Sequence, residues 1–379
     1  MDNVTHTLVG LTLARTRLGR AGRGSTVALA LASNAPDIDI VTIAGGGSAY
    51  LHWHRGPTHG PLGIVGLGVA TAGLVWLGQR FFDKRAAGNA NAPFMRLVLL
   101  SMLGVLVHVL MDLPTSYGTR ALSPFSWHWF SLDWMPIIDI YLIAVLGAAL
   151  FFGRGSDAMR RQNVKLALVL MLVDYGVRGA AHHEAIALAP RAFGPTLPAP
   201  CGGNPPPDLP VERWPLPPTA PAEPGAHRCL VELAAMPGFL SPFSWGLIAQ
   251  TSNSYETLAV DLLDQRYRQP RGEGEVLWRR TVRYPNVWTP AALSAASAPL
   301  AHLFLGFSRF PVVRTTVDGA GTTTVRWSDM RFAMSRGGPP PGVPGRTRDA
   351  GIAASAGNFF AVTVRLAPDG FVLGETFGR

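Results

Sequence analysis

Histidine and aspartate side chains spaced to share a multivalent partner recur through the first 130 residues of this 379-residue sequence. His108 and Asp112 are four residues apart, which on a helix places them on one face, a turn from each other. Imidazole and carboxylate at that spacing make half a site for zinc or a similar divalent ion; a His–Asp hydrogen bond that only locks helix packing is the plainer alternative. Three polar clusters precede it: Thr5-His6, Ala35-Pro36-Asp37-Ile38-Asp39, and His52-Trp53-His54-Arg55-Gly56-Pro57-Thr58-His59. Together His6, Asp37, Asp39, His54, His59, His108 and Asp112 could hold one to three divalent ions, zinc being the first choice, because carboxylates bridge ions and offset their charge. Asp37 would then bridge or act as general base, and Arg55 would stabilise charge developing on a phosphate. Asp139, Arg178 and His182-His183-Glu184 are lesser candidates, and for the last two packing is the plainer reading.

The elements that carry these residues read as membrane helices. Hydrophobic residues make up 48% of the sequence and charged residues 15%, against about a quarter charged in soluble globular proteins. Long apolar runs cover roughly 61–80, 94–113, 136–152 and 163–181, each near the ~20 residues a helix needs to cross a bilayer. Shorter runs cover 4–14 and 25–44, the second ending in the costly Asp37 and Asp39. The net charge of +9 is carried almost wholly by arginine lying between apolar runs, which disfavours a nucleic-acid partner and favours a positive-inside arrangement. Placing Arg15, Arg17, Arg20 and Arg23, then Arg80, Lys84, Arg85 and Arg96, then Arg154, Arg160, Arg161 and Lys165 in the cytoplasm puts the His/Asp clusters and everything after about 182 on the outer side of a bacterial inner membrane. No cleavable signal peptide is visible.

Residues 190–228 are Pro-rich and read as an extended linker between a membrane-embedded helical domain, 1–189, and a β-rich extracytoplasmic domain, 229–379. Within the latter, Val276 to Tyr284, Pro311–Val317, Thr322–Phe332, Phe359–Leu366 and Phe371–Phe377 favour strands, with turn signals at Asp318-Gly319 and Pro368-Asp369-Gly370. Thr289-Pro290 reads as the cap and first position of a helix running to about Phe304. Cys201 and Cys229 form one disulfide or remain two unrelated thiols. The expected fold is therefore a mainly α-helical multi-pass membrane domain followed by a small β-rich domain.

The ordered motifs Thr5-His6, Ala35-Pro36-Asp37-Ile38-Asp39, His54-Arg55-Gly56-Pro57-Thr58-His59 and His108-xxx-Asp112, with Tyr117-Gly118-Thr119 and Leu122-Ser123-Pro124-Phe125-Ser126 after them, resemble the YdjM-like group of membrane-associated, metal-dependent hydrolases. That resemblance implies hydrolysis at a His/Asp-held metal, with a distant similarity to the zinc-dependent phospholipase C and single-strand nuclease superfamily. A phosphoester or lipid-like substrate at the bilayer is the expectation. A non-enzymatic metal-binding scaffold or transport component is the alternative, since intramembrane His and Asp also line ion pathways.

Overall fold

The computed structural model describes residues 1–82, 90–152, 156–194, 197–201, 229–264, 281–334 and 360–378. The expectations for Lys84, Arg85, Arg154, most of the Pro-rich stretch and the start of the strand at Val276 lie outside the described residues. In chain order the helices are α1 (Asn3–Ala14), α2 (Ser25–Ala32), α3 (Gly46–Trp53), α4 (Pro61–Phe82), α5 (Phe94–Asp112), α6 (Ile140–Phe151), α7 (Asp157–Ala187) and α8 (Ala189–Phe193). Strands β1 (Leu230–Pro237), β2 (Ser244–Thr251), β3 (Ser254–Asp261) and β4 (Val282–Pro285) follow, then α9 (Pro290–Ala296) and α10 (Pro299–Phe307). The chain closes with β5 (Pro311–Val317), β6 (Thr323–Asp329), α11 (Met330–Met334), β7 (Ala361–Leu366) and β8 (Val372–Phe377). Two compact units result: Met1–Thr42 with Trp53–Gly179, and Ile43–His52 with Ala180–Arg379.

In the first unit, Asp2 caps α1 by accepting from the Thr5 amide at 3.0 Å, relieving one of the orphan donors of a helix start. Close approach of α1, α2 and α5 depends on small residues: a Cβ on Gly10 would lie 2.9 Å from the Leu29 carbonyl oxygen, and one on Gly104 would lie 2.8 Å from the Ala32 Cβ. Helices that touch through such positions bring their backbones near each other, and here they bring the α1, α2 and α5 polar residues together. Among the described residues two helices, α4 and α5, are long and apolar enough to cross a membrane, or up to four spans if each bent helix pair is counted as one. Leu62, Val65, Leu74 and Leu77 of α4 and Met95, Leu99 and Leu110 of α5 face outward, a surface suited to hydrocarbon. The apolar run at 136–152 yields a shorter helix than expected, because Asp139 turns the chain by accepting from the amides of Tyr141 and Leu142 at 2.8 and 3.0 Å and so sets the start of the 12-residue α6. In α7 the apolar stretch is interrupted by Asp174 and Arg178.

In the second unit, two antiparallel four-stranded sheets run in the orders β1-β2-β3-β4 and β5-β6-β7-β8. The first is covered on both faces. Ala235, Leu247, Ala249 and Leu258 pack with Ala185, Leu188 and Phe193, while Ala234, Met236, Ile248 and Tyr255 pack with Phe310, Val312 and Met330. Thr289 caps α9 as expected, accepting from the Ala292 amide at 3.2 Å. The single helix expected to reach Phe304 is instead two, because Ala298 is extended and Pro299 opens α10; a proline removes the donor a continuous helix would need. The strand expected to run to Phe332 stops at Asp329, whose carboxylate accepts from the Arg331 amide at 2.9 Å and starts α11. Cys201 and Cys229 are joined in a disulfide.

Asp329 is also the polar centre of this unit. It accepts from Ser308 at 2.8 Å and from the Arg309 amide at 3.0 Å, and pairs with the Arg331 guanidinium at 2.8 Å. Burial alone would raise its pKa, but the Arg331 charge and the hydrogen bonds from Arg331 and Ser308 outweigh it and hold the carboxyl below its usual range. A depressed folded-state pKa contributes stability that is present above the unfolded value and lost as pH falls through the folded one. Asp329→Asn is therefore expected to lower the melting temperature near neutral pH, with the difference from wild type closing below about pH 4. Melting curves followed by tryptophan fluorescence across that range check it; a difference of constant size down to strong acid would remove the ionised carboxylate as the cause.

Candidate metal centre

The site is built from three places in the first unit. His108 and Asp112 come from one face of α5, as their spacing requires, and both are fully buried. Asp37 and Asp39 come from the 3-10 segment Ala35–Gly45 that follows α2. His59 ends the short 3-10 turn Pro57–His59 just ahead of α4. One donor atom each from Asp37, His59, His108 and Asp112 lies within 4.8 Å of all the others.

Ring orientation is fixed from outside this quartet. The Nδ1 of His108 lies 2.8 Å from the Ser33 carbonyl oxygen. A carbonyl only accepts, so Nδ1 carries the proton and Nε2 presents its lone pair inward. Thr58 Oγ1 donates to Asp39 Oδ2 at 3.2 Å and sits 3.0 Å from His59 Nδ1, which then donates to it and leaves Nε2 of His59 inward as well. Burial, reinforced by the charges of His108 and Arg55, pushes the His59 pKa well below its usual range, keeping the ring in the neutral form that ligates metals. Hydrogen-bonded outer partners of this kind commonly set the tautomer of metal-binding imidazoles.

The inward atoms are spaced for an ion. His59 Nε2 and His108 Nε2 each lie 3.4 Å from Asp112 Oδ2, and Asp37 Oδ1 lies 3.5 Å from His108 Nε2 and 3.8 Å from His59 Nε2. Four donors about 2.0–2.2 Å from a tetrahedral ion are separated from one another by roughly 3.3–3.6 Å. Hydrogen bonds between imidazole and carboxylate are shorter, about 2.7–2.9 Å. Among the described residues, His59 Nε2 and His108 Nε2 are buried and make no hydrogen bond, and the buried Asp112 Oδ2 has only its ion pair with Arg55 beyond the imidazoles. Orphaned, converging lone pairs at these separations fit a divalent cation.

The remaining expected site residues surround that quartet. His6 stacks on His108 with ring centroids 3.8 Å apart, and its Nε2 lies 3.4 Å from Asp112 Oδ1. Asp112 thus offers Oδ2 to the quartet and Oδ1 to His6, where the buried Met1 amino group also pairs with it. Asp39 turns its oxygens outward, to His54 Nδ1 at 3.1 Å, to the Arg55 amide at 2.7 Å and to Thr58, so it orients the loop rather than joining the four donors. His54 holds Asp39 and sets its ring edge-on to Tyr117. Arg55 adopts a left-handed backbone with φ of 50°, a conformation costing a non-glycine residue roughly 1–2 kcal/mol, and its amide bond to Asp39 helps hold it there. Its guanidinium reaches Asp112 Oδ2 at 3.3 Å and the Gly118 carbonyl at 3.1 Å, and lies over the Tyr117 ring. Asp139 and Arg178 pair with each other at 2.5 Å instead of joining the quartet. Thr58 and the Ser33 carbonyl carry roles that residue type alone did not show; the adjacency of Thr58 to His59 was the available signal for the first, and a backbone acceptor leaves none for the second.

Residues 1–185 match the sequence profile of the family described as YdjM inner membrane protein. This segment is YdjM-like. All four ordered motifs fall within it, so the resemblance to the YdjM family is borne out there, while the match does not extend to the phospholipase C and nuclease superfamily. The YdjM-like segment is also similar to a protein of Bacillus subtilis (strain 168), "Uncharacterized protein YfhP", at 30% identity over 185 residues, which cover 46% of this chain and 52% of that relative. The chain thus spans about half the length of the curated relative it matches. No solved structure matches.

Proposed function

We propose that this chain is a multi-pass membrane hydrolase that uses a His/Asp-held divalent metal, zinc being the first choice, on a phosphoester or lipid-like substrate. The observation that carries the proposal is the convergence of the orphaned Nε2 atoms of His59 and His108 on Oδ2 of Asp112, with Asp37 completing the set. When bound, the ion supplies Lewis acidity toward a phosphoryl oxygen and toward water. Asp37, the least buried of the four with 19% side-chain exposure, is placed to take a proton from water at the open edge. Among the described residues Arg55 Nε is buried without a hydrogen-bond partner, and the guanidinium lies beside Asp112, where it can offset charge on a phosphoryl group. Exposed Ile38, Ile40 and Val41 flank that edge, which suits a substrate with an apolar portion. The Cys201–Cys229 disulfide supports an oxidising, extracytoplasmic location for the second unit, in agreement with the side opposite the arginine clusters.

The near-complete burial of His59, His108 and Asp112 favours the second reading, a metal-binding scaffold or transport component. Turnover separates the two. Detergent-purified full-length protein is expected to cleave at least one chromogenic phosphomonoester or phosphodiester, to lose that activity with chelator and regain it with added metal, and to lose most of it in Arg55→Ala. Absent or chelator-insensitive turnover across the panel would move the chain to the second reading.

A further inference from the structure

We propose that a groove between α1, α2 and the end of α6 holds an anionic phospholipid, its acyl chain lying along α1 and its headgroup beside the arginines that follow α1. The inference does not rest on the metal reading. Leu8, Leu11 and Ala14 of α1, Thr26 of α2, and Leu150 and Phe151 of α6 line a groove of about 430 Å³, a volume in the usual range of ligand sites. Arg15 stands on the same wall. Leu8, Leu11 and Arg15 recur at i, i+3 and i+7, so a single stripe of α1 runs along the groove. The other side of that helix is already covered, Val9 packing with Met111, Met135, Leu142 and Leu146. Arg15 donates to the Ala149 and Leu150 carbonyls at 3.3 and 2.7 Å, closing the last turn of α6 and fixing a positive charge at one end of the apolar wall.

The depth of the groove in a bilayer follows from what touches the α1–α2 connection. Gln79, in the last turn of α4, donates to the Arg23 carbonyl. Just ahead of α5, the Ala92 amide donates to that same carbonyl and the Ala90 carbonyl accepts from the Arg23 amide, both at 3.1 Å. Both helices of membrane-spanning length therefore end beside this connection, and the ends of such helices lie at the level of the headgroups. From there the groove runs back along α1 from Arg15 to Leu8, about 10 Å at 1.5 Å per residue, which is acyl-chain depth.

Charge selects the headgroup. Between Asp2 and Asp37 the sequence holds Arg15, Arg17, Arg20 and Arg23 and no acid; Arg17 and Arg20 are exposed. Arg80 in the last turn of α4 and Arg96 in the first turn of α5 add to the same end. The acids nearest in sequence are offset: Asp83 is followed at once by Lys84 and Arg85, and Asp157, the first acid after α6, lies 3.9 Å from Arg160. Basic pockets between membrane helices attract anionic headgroups. A soluble anion would leave the apolar wall uncovered, and a zwitterionic lipid would leave the arginines unmatched. An anionic lipid satisfies both.

The test uses the full chain with Val27→Cys, an exposed position next to Thr26, carrying a bimane dye; the native cysteines are already paired. Detergent-solubilised protein is titrated with phosphatidylglycerol or phosphatidylcholine brominated along the acyl chains, since bromine quenches the dye only at close range. Phosphatidylglycerol is expected to quench at about fivefold lower concentration, the scale set by one arginine near an anionic surface. Arg17→Gln with Arg20→Gln should remove most of that difference at an unchanged melting temperature, and Leu11→Trp, which fills the groove, should weaken quenching by both lipids. Equal curves for the two lipids, a preference undiminished by the arginine changes, or full quenching with Leu11→Trp overturns the proposal. Displacement of the lipid by soluble glycerol phosphate also overturns it and assigns the arginines to a free anion. Oxidative cross-linking of two unlabelled Val27→Cys chains in place of lipid quenching gives the groove to a second copy instead.

Discussion

Full-length protein carrying His108→Ala is expected to lose at least about a hundredfold in metal affinity, since loss of an outer-shell partner alone commonly costs ten- to a hundredfold and this change removes a donor. Asp112→Asn should do the same by weakening the oxygen that faces both imidazoles at 3.4 Å. Thr58→Ala should cost less, about tenfold, because it loosens only the partner of His59 Nδ1. His128→Ala, exposed and outside the cluster, should purify with wild-type metal content. Elemental analysis of detergent-purified variants, followed by competition with a chelator of known affinity, measures each. Full metal retention by both His108→Ala and Asp112→Asn would remove the quartet as the binding site, whatever the chain catalyses.

The second large effect concerns stability. Arg178 and Asp139 are both fully buried and pair at 2.5 Å, with Asp174 at 3.7 Å from the Arg178 Nε. Desolvating such groups is costly, and removing one partner strands the other without a counter-charge, a loss of about 3–5 kcal/mol. Arg178→Ala should therefore unfold at markedly lower temperature in detergent. Asp139→Asn in the same background should recover part of the loss, since it neutralises the stranded carboxylate while keeping an oxygen to cap α6. An Arg178→Ala protein that melts within a degree of wild type, or a double variant no better than the single one, would show that the pair is not holding α6 against α7.

How legible each feature was depended on whether its cause was local. His108 and Asp112 were readable because helical periodicity alone puts them on one face of α5. Asp37 and His59 were readable as residue types, but their convergence was not, since each sits in a 3-10 segment whose direction is set by packing and by contacts such as Asp39 with the Arg55 amide. Asp37 and Asp39 stand two residues apart, on different sides of that 3-10 segment, and which of them meets the quartet is set by packing that no period predicts. In the second unit, Asp318-Gly319 and Pro368-Asp369-Gly370 announced their hairpins, and Thr289 its helix. Strands β1 to β3 gave no alternating pattern because their sheet is covered on both faces, and a strand buried on both sides does not alternate. The early end of β6 came from one side chain, Asp329, bonding back to the chain just after it.

The two inward imidazoles also differ in what holds them. His59 takes its orientation from the Thr58 hydroxyl and the Asp39 carboxylate, both of which a point mutation can delete. His108 takes its orientation from the Ser33 carbonyl at the end of α2, which every residue type would supply. Substitutions at Thr58 should therefore misalign His59, whereas Ser33→Ala, which fits the tight α1–α2–α5 contact, should leave His108 aligned.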